Sequence, residues 1–339
     1  MKIGIECFAG CNTSLGFFSG FESLFTDTNK TFFIKGAPGT GKSSLMKRIA
    51  GRQKSLGHTV SLFHCSSDPD SLDGVVDETI RASVFDATSP HTYDPPYPGA
   101  TGSILSLGDS LNEGALFADR SEIENLNRQI KAEFAASAHF LSAVSGIQSA
   151  YASAPDPIQA ERFAMSLLPD ALPGKKLGRE QTYFLTAVTY KGETRFPLPF
   201  SKDMTVGLHS PSRNMKSEAL FRLKNRARLS GRETVLFLSP VNPKLAEHLY
   251  LPDDGIFVTG DESLPAHKTY ELSVRAKKAP AETEQAVSAL MKSAQLALRS
   301  AKSLHDLLEE HYIPRMDFSR LVECESRVTE AFDKIEADM

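Results

Sequence analysis

A short apolar strand, a glycine-rich loop and a helix in that order, the same order met again further along without the glycines, and a long apolar-striped helix after each, predict an α/β protein. The predicted architecture is two tandem P-loop NTPase-like units, three-layer α/β/α, each with an appended helical hairpin and the second copy degenerate. The domains are expected at residues 1–170 and 171–339.

The first of these observations is the run Gly36-Ala37-Pro38-Gly39-Thr40-Gly41-Lys42-Ser43, which fits G-x-x-x-x-G-K-[ST] at every fixed position. Its glycines let the backbone wrap an anion without Cβ clashes, so that successive N–H groups converge on phosphate oxygens. Lys42 adds a point charge for the β- and γ-phosphates, the Ser43 hydroxyl is placed to ligate Mg²⁺, and the helix that follows offers its positive end. Gly36, Ala37, Pro38, Gly39, Thr40, Gly41, Lys42, Ser43 and Ser44 are therefore the expected binding residues for ATP with Mg²⁺. The flanks agree: Thr31-Phe32-Phe33-Ile34 reads as a buried parallel strand, and 44–56 as a helix closed by Gly57.

A chain of 339 residues suits about two domains. With 41% hydrophobic and 24% charged residues and a formal net charge of −4, nothing signals disorder or general nucleic-acid binding through bulk charge. No apolar run is long enough to span a bilayer, and Met1-Lys2-Ile3-Gly4-Ile5-Glu6 lacks a secretory apolar region, so a cytoplasmic protein without membrane partners is expected. Cys7, Cys11, Cys65 and Cys324 do not make a disulfide framework. Cys7 and Cys11 with His64-Cys65 form at most a poor match to zinc spacings, and buried thiols are the plainer expectation.

Residues 3–25 suggest a strand or hairpin and then a short helix around Phe21. After the glycine loop and its helix comes a second strand at 59–64, ending in the acidic stretch Ser66-Ser67-Asp68-Pro69-Asp70-Ser71-Leu72-Asp73-Gly74. Ligands of open α/β sheets bind beyond the carboxyl ends of strands, so Asp68, Asp70 and Asp73 could meet Mg²⁺ or an acceptor hydroxyl; an Asx-type turn is the competing reading. A third strand, Ala82-Ser83-Val84-Phe85, leads to Asp86, where the Mg²⁺-holding Walker B aspartate belongs. Lys42, Asp86 and Asp68 are the candidate catalytic residues, and Ser43 and Asp86 the candidate metal ligands. Ala87 stands where many ATPases carry a water-polarising glutamate, which favours a slow switch or a kinase over a fast hydrolase. His91 follows in a loop, with an active-site or a structural role.

The Pro- and Gly-rich stretch 93–108 reads as irregular. Ile123, Leu126, Ile130, Phe134, Ala138, Leu141, Val144, Ile147 and Tyr151 then recur at helical spacing, Pro155 and Pro157 end that stripe, and a short helix at 158–168 leads to a linker at 169–174.

The step that lays Lys42-Ser43 on Lys216-Ser217 also lays Thr31 on Thr205, Arg48 on Arg222, Gly57 on Gly231, Leu62-Phe63 on Leu236-Phe237 and Val84 on Val258. Gly36, Gly39 and Gly41 meet Ser210, Arg213 and Met215, so the cradle is lost although the lysine and serine survive. A structural second half is expected, with Lys216 facing solvent and Ser217 as a cap; a weak anion or regulatory site around Arg213, Lys216 and Arg222 is the alternative. Val287, Leu290, Met291, Ala294, Leu298, Ala301, Leu304, Leu307 and Leu308 make a second long stripe, Pro314 breaks it, and 318–337 is a return helix.

The runs 36–43 and 64–74, Asp86-Ala87-Thr88-Ser89-Pro90-His91, and His311-Tyr312-Ile313-Pro314-Arg315-Met316-Asp317-Phe318 resemble a poorly characterised family of bacterial tandem P-loop proteins labelled ATPase or nucleotide kinase. The resemblance covers nearly the whole chain and implies nucleotide binding and a duplicated fold, with a complete P-loop in both halves of the family; the second half departs from that pattern here. It supplies no substrate.

Three functions follow as expectations. The first is an ATPase that hydrolyses slowly and passes a conformational change to the second half or to a protein partner. The others are a nucleotide or small-molecule kinase using Asp68 or Asp70 to orient its acceptor, and a non-enzymatic nucleotide sensor.

Overall fold

A computed structural model describes residues 4–26, 28–200, 203–275 and 279–339; Met1, Lys2 and Ile3, used in reading the amino terminus, lie outside them. In chain order the first half runs β1 (Glu6–Cys7), β2 (Gly10–Thr13), β3 (Gly16–Ser19), β4 (Lys30–Lys35), α1 (Lys42–Ser55), β5 (Val60–His64), β6 (Leu72–Asp77), β7 (Ala82–Asp86), β8 (Gly102–Ser106), α2 (Glu113–Ala118), α3 (Arg120–Ala150) and α4 (Pro157–Leu167). The second runs β9 (Glu180–Tyr183), β10 (Thr186–Thr189), β11 (Gly192–Arg195), β12 (Met204–His209), α5 (Arg213–Leu229), β13 (Thr234–Leu238), β14 (Ala246–Leu251), β15 (Ile256–Thr259), β16 (Lys268–Glu271), α6 (Ala281–Tyr312) and α7 (Arg320–Ala337).

The strands build two six-stranded sheets of one design. The first has the order β1-β5-β6-β7-β4-β8, and the second, read from its β9 edge, has β9-β13-β14-β15-β12-β16. In each, the third strand runs antiparallel to both neighbours and the remaining pairs are parallel. Registers match as well: Phe32 pairs Val84 and Val206 pairs Val258, while the irregularity between Phe63 and His64 returns between Phe237 and Leu238. Where the halves meet, Phe8 and Phe184 exchange backbone hydrogen bonds of 3.0 and 2.9 Å, a reciprocal pair of the kind a two-fold axis makes.

Period-2 alternation assigns the strand side chains to two faces. Phe32, Ile34 and Val84 turn toward Leu45, Met46 and Ile49 of α1 and toward Leu321, Val328 and Phe332 of α7. Phe33, Phe63 and Phe85 turn the other way, into one cluster with Tyr183, Val235, Phe237, Tyr250 and Phe257 of the second half. No α-helical residue belongs to that shared cluster. The expected three-layer arrangement thus gives way to sheets with long helices on one face and a common aromatic core on the other. The physical reason is that alternating phenylalanines bury a sheet face as well against a second sheet as against a helix, at about 1.5–3 kcal/mol for each fully buried side chain.

The helical arms also differ from the expected hairpins. α3 and α6 pair with each other, Leu141 and Val144 meeting Ala294 and Leu298, and Leu126 and Ile130 meeting Leu308. The shorter helices cross over: α4 packs with α5 on the second sheet through Ala160, Phe163 and Ala164, and α7 packs on the first sheet. Asp156 starts α4 by accepting the amides of Ile158 and Gln159, with Pro157 at the first helical position. An apolar stripe needs a partner stripe, and each arm finds its own in the other half.

Two strands replace expected loops. β8 lies inside the Pro- and Gly-rich stretch, where Gly102 lets the strand pass Pro95: a Cβ there would sit 2.4 Å from the proline Cβ. β6 begins at Leu72 within the acidic stretch and is buried along its whole length. Its Asp77 is tolerated there because Gln53, His58 and the amides of Thr79 and Ile80 bond it. No helix among the described residues is long and apolar enough to cross a membrane.

Candidate functional site

The glycine loop joins β4 to α1, and its conformation depends on Gly39 and Gly41, whose φ values of 72° and 86° lie in the left-handed region. Gly41 stands just before the helix, so Lys42 is its first residue, followed by Ser43 and Ser44. Thr40 is buried and donates its hydroxyl hydrogen to Ala37 O at 2.7 Å, which closes the turn through Pro38. The Lys42 ammonium donates to Gly36 O at 2.7 Å and Ala37 O at 2.9 Å, and stands 3.6 Å from Asp86 Oδ2. Thr88 ties the end of β7 to the loop: its amide donates to Asp86 Oδ1 at 2.8 Å, and its hydroxyl lies 3.2 Å from both the N and the O of Gly36. β4 and β7 are neighbours in the sheet, which sets Lys42 opposite Asp86.

Burial drives the Asp86 carboxyl above its usual range, Asp73 adds to the rise, and Lys42 opposes it. Asp73, on β6, is itself buried and lies 3.3 Å from His91 Nε2. His91 stacks on Phe21 at 4.4 Å between ring centroids, and its buried Nδ1 has no hydrogen-bond partner among the described residues. Burial alone would lower the His91 pKa, but the Asp73 and Asp86 carboxylates outweigh it and hold the value above the ordinary one. The ring of His91 packs on an aromatic wall and has the Asp73 and Asp86 carboxylates as charged neighbours.

The Ser43 hydroxyl faces the sheet, accepting the Leu72 amide of β6 at 3.0 Å. The acidic stretch separates into three environments. Asp68 closes a turn, accepting the Asp70 amide at 3.2 Å and the Ser71 hydroxyl at 3.1 Å. Asp70 is exposed and pairs with Lys191 of the second half at 2.5 Å, which lowers its pKa. Asp73, expected together with Asp68 and Asp70 near a metal or an acceptor, is the one of the three that is buried, and it stands beside His91.

Burial pushes the thiols of Cys7, Cys11 and Cys65 well above their usual pKa. Among the described residues no group of three or more His, Cys, Asp or Glu side chains is placed to hold a metal ion. An open groove of about 560 Å³, lined by Asp109, Asn112, Arg315 and Arg320 among others, does not include the glycine loop.

At the matching place in the second half, α5 starts at Arg213, three residues earlier in register than α1, so the residues that would form the loop are its first helical turn. Ser212 caps that turn by accepting the Met215 amide, and Met215 is fully buried. Lys216 does not face solvent: its ammonium donates to Gly260 O at 2.7 Å and lies 3.2 Å from Glu262 Oε1. Ser217 is not a cap either, but accepts the Ala246 amide at 2.9 Å, as Ser43 accepts Leu72.

The second half's arm covers the first half's loop. A Cβ on Gly39 would lie 2.7 Å from Ile313 Cγ1, and one on Gly41 would lie 2.7 Å from Leu321 Cδ1. These arm residues were missed because nothing local in α6 or α7 says which loop they meet. Comparison of the chain with family models, with curated proteins and with solved structures finds no match in any of the three.

Proposed function

We propose that this chain is a P-loop protein that binds one purine nucleoside triphosphate, ATP, with Mg²⁺ in its first half, hydrolyses it slowly, and passes site occupancy to the second half through the arm packed on the loop. The observation that carries the reading is Lys42, held by two carbonyls of its own loop and 3.6 Å from Asp86, beside glycines in the left-handed conformation. That arrangement presents a cation, a helix N-terminus and a carboxylate at the end of two adjacent parallel strands, which is what a Mg²⁺-triphosphate needs.

The donor set fits the metal. Asp86 has one oxygen bound by the Thr88 amide and the other facing Lys42, and Ser43 keeps a lone pair beyond the one that takes the Leu72 amide. These two residues would hold Mg²⁺, and the ion would neutralise charge that develops on the terminal phosphate.

The shared strand order and register support a tandem duplication, and the helical first turn of α5 supports a second copy without a triphosphate cradle. A kinase needs a carboxylate free to take a hydroxyl's proton. Asp68 has both oxygens engaged in its own turn and Asp70 is paired with Lys191, which favours the ATPase reading.

Calorimetry with a non-hydrolysable ATP analogue and Mg²⁺ tests the proposal. Lys42→Ala should lose about 2–3 kcal/mol of binding, roughly 30- to 150-fold in affinity. Unchanged affinity would remove the P-loop reading.

A further inference from the structure

The pairing of α3 with α6 supplies an internal control for deciding which arm residues belong to the site. Carrying Tyr151 onto Tyr312 lays Leu141 on Lys302, Val144 on His305 and Gln148 on Glu309. Geometry agrees with that correspondence. Gln148 Oε1 lies 3.4 Å from Arg213 Nη1, and Arg213 occupies the place of Gly39; Glu309 lies against Gly39 itself, its Cβ 3.5 Å from where a Cβ on that glycine would be.

Over the second loop these arm positions are apolar where they are deepest. Leu141 and Val144 are fully buried with Val188 and Val241. Over the glycine loop every counterpart is polar. Asn12, the third residue of β2 as Val188 is of β10 in the matching hairpin, lies 3.3 Å from Ser67, which the step between the halves lays on Val241, and Lys302 Nζ is 3.9 Å from Asp68 Oδ2 and also bonds Asp306. His305 Nδ1 lies 3.4 Å from Glu309 Oε1. Lys302, His305 and Glu309 stay partly exposed there, so this end of the arm is left open to water and ligand where the other end is sealed by apolar packing. The charged set stands only beside the intact loop.

Glu309 is also held ionised. The His305 hydrogen bond lowers its pKa against the effect of burial, with Lys302 and Lys42 acting in the same direction. On β7, by contrast, the position after Asp86 is the fully buried Ala87, so the strand brings no second carboxylate to the site.

We propose that Glu309, delivered by α6 of the second half, is the carboxylate that orients and deprotonates the attacking water at the first half's nucleotide site, with His305 and Lys302 as its positioning residues. The proposal rests on the P-loop reading above. The water oxygen bonds to the terminal phosphorus, the bond from that phosphorus to the bridging oxygen breaks with its electron pair leaving on the diphosphate, and the water's proton passes to Glu309 and then to solvent. Turnover then requires α6 to be seated on the loop, which couples hydrolysis to the position of the arm.

The test uses the full chain with Glu309→Gln, which keeps shape and removes the base. Gln148→Glu serves as the control on the other arm, and circular dichroism checks folding. Glu309→Gln should bind the Mg²⁺-loaded analogue within about twofold of native while phosphate release falls about 100-fold. It should also lose the extra affinity that native protein shows for ADP with aluminium fluoride over ADP alone. Glu309→Asp should recover part of both, and Gln148→Glu should change neither. Native turnover in Glu309→Gln, an equal loss of analogue binding and turnover, or a native protein that binds through Lys42 yet releases no phosphate would each overturn the role of Glu309. Should Lys42→Ala keep native affinity, it is the P-loop reading that fails, and the two failures are thereby distinguished.

Discussion

The Ser43 hydroxyl accepts the Leu72 amide at 3.0 Å, and its counterpart Ser217 accepts the Ala246 amide at 2.9 Å. One residue type thus makes the same contact in both halves. In both, it pins the start of a helix to the antiparallel strand, which explains why the serine persists where the glycines do not.

Ser217→Ala should cost stability alone, about 1–3 kcal/mol, because it leaves the Ala246 amide buried and unpaired. Ser43→Ala should cost a similar amount and also weaken Mg²⁺-dependent binding of the triphosphate analogue. Denaturant unfolding beside calorimetry separates the two effects. Equal binding losses in both variants would contradict the assignment of the metal to the first half.

Titration should give one triphosphate per chain. Lys216 is held by Gly260 O and Glu262, and the turn before it is helical, so no set of amides is free to converge there. Lys216→Ala should leave stoichiometry and affinity at native values and lower the melting temperature. A second tight equivalent that disappears in Lys216→Ala would make the second half a working or regulatory site.

Asp86→Asn should reduce turnover about 100-fold while triphosphate affinity changes by less than about tenfold, since the carboxylate acts on charge that grows in the transition state. Phosphate release measured beside binding decides it. An Asp68→Asn variant that is inactive while Asp86→Asn remains active would move the metal to the loop after β5.

Two histidines should make the fold less stable as the medium becomes alkaline. At His58, burial is outweighed by Asp77 and Glu336, and at His91 by Asp73 and Asp86, so both folded pKa values stand above the ordinary 6.5. A raised folded pKa contributes stability that is complete below the unfolded value and is lost as pH rises through the folded one. The melting temperature should therefore fall as pH rises above about 6.5, and His58→Gln or His91→Gln should flatten that slope. A slope unaltered in both variants would exclude this source.

Much of the local structure was legible because local physics writes it. Lys30–Lys35 holds a continuous apolar run of strand length, Gly57 ends α1 with a φ of 84°, and the stripes of α3 and α6 repeat at helical spacing. β6 was not legible, since an Asp and a Gly near its start imitate a turn and the groups that satisfy Asp73 and Asp77 come from elsewhere in the fold. Lys216 misled for the same reason: a lysine at a helix start is usually solvated, and only the approach of Gly260 and Glu262 gives it partners within the protein.

By itself the sequence determined the glycine loop, the helix that follows it, the fixed step between two similar halves and the loss of glycine at Ser210, Arg213 and Met215. Each is a matter of residue type at short range: which φ a residue can adopt, and which charge it carries. Tertiary structure alone decided that Phe33, Phe63 and Phe85 face a second sheet, that α4 and α7 cross to the opposite half, and that Glu309 and Ile313 lie on Gly39. The reason is that hydrophobic burial is non-directional. A stripe or an alternating strand states that one face must leave water, and only the packed chain states what covers it.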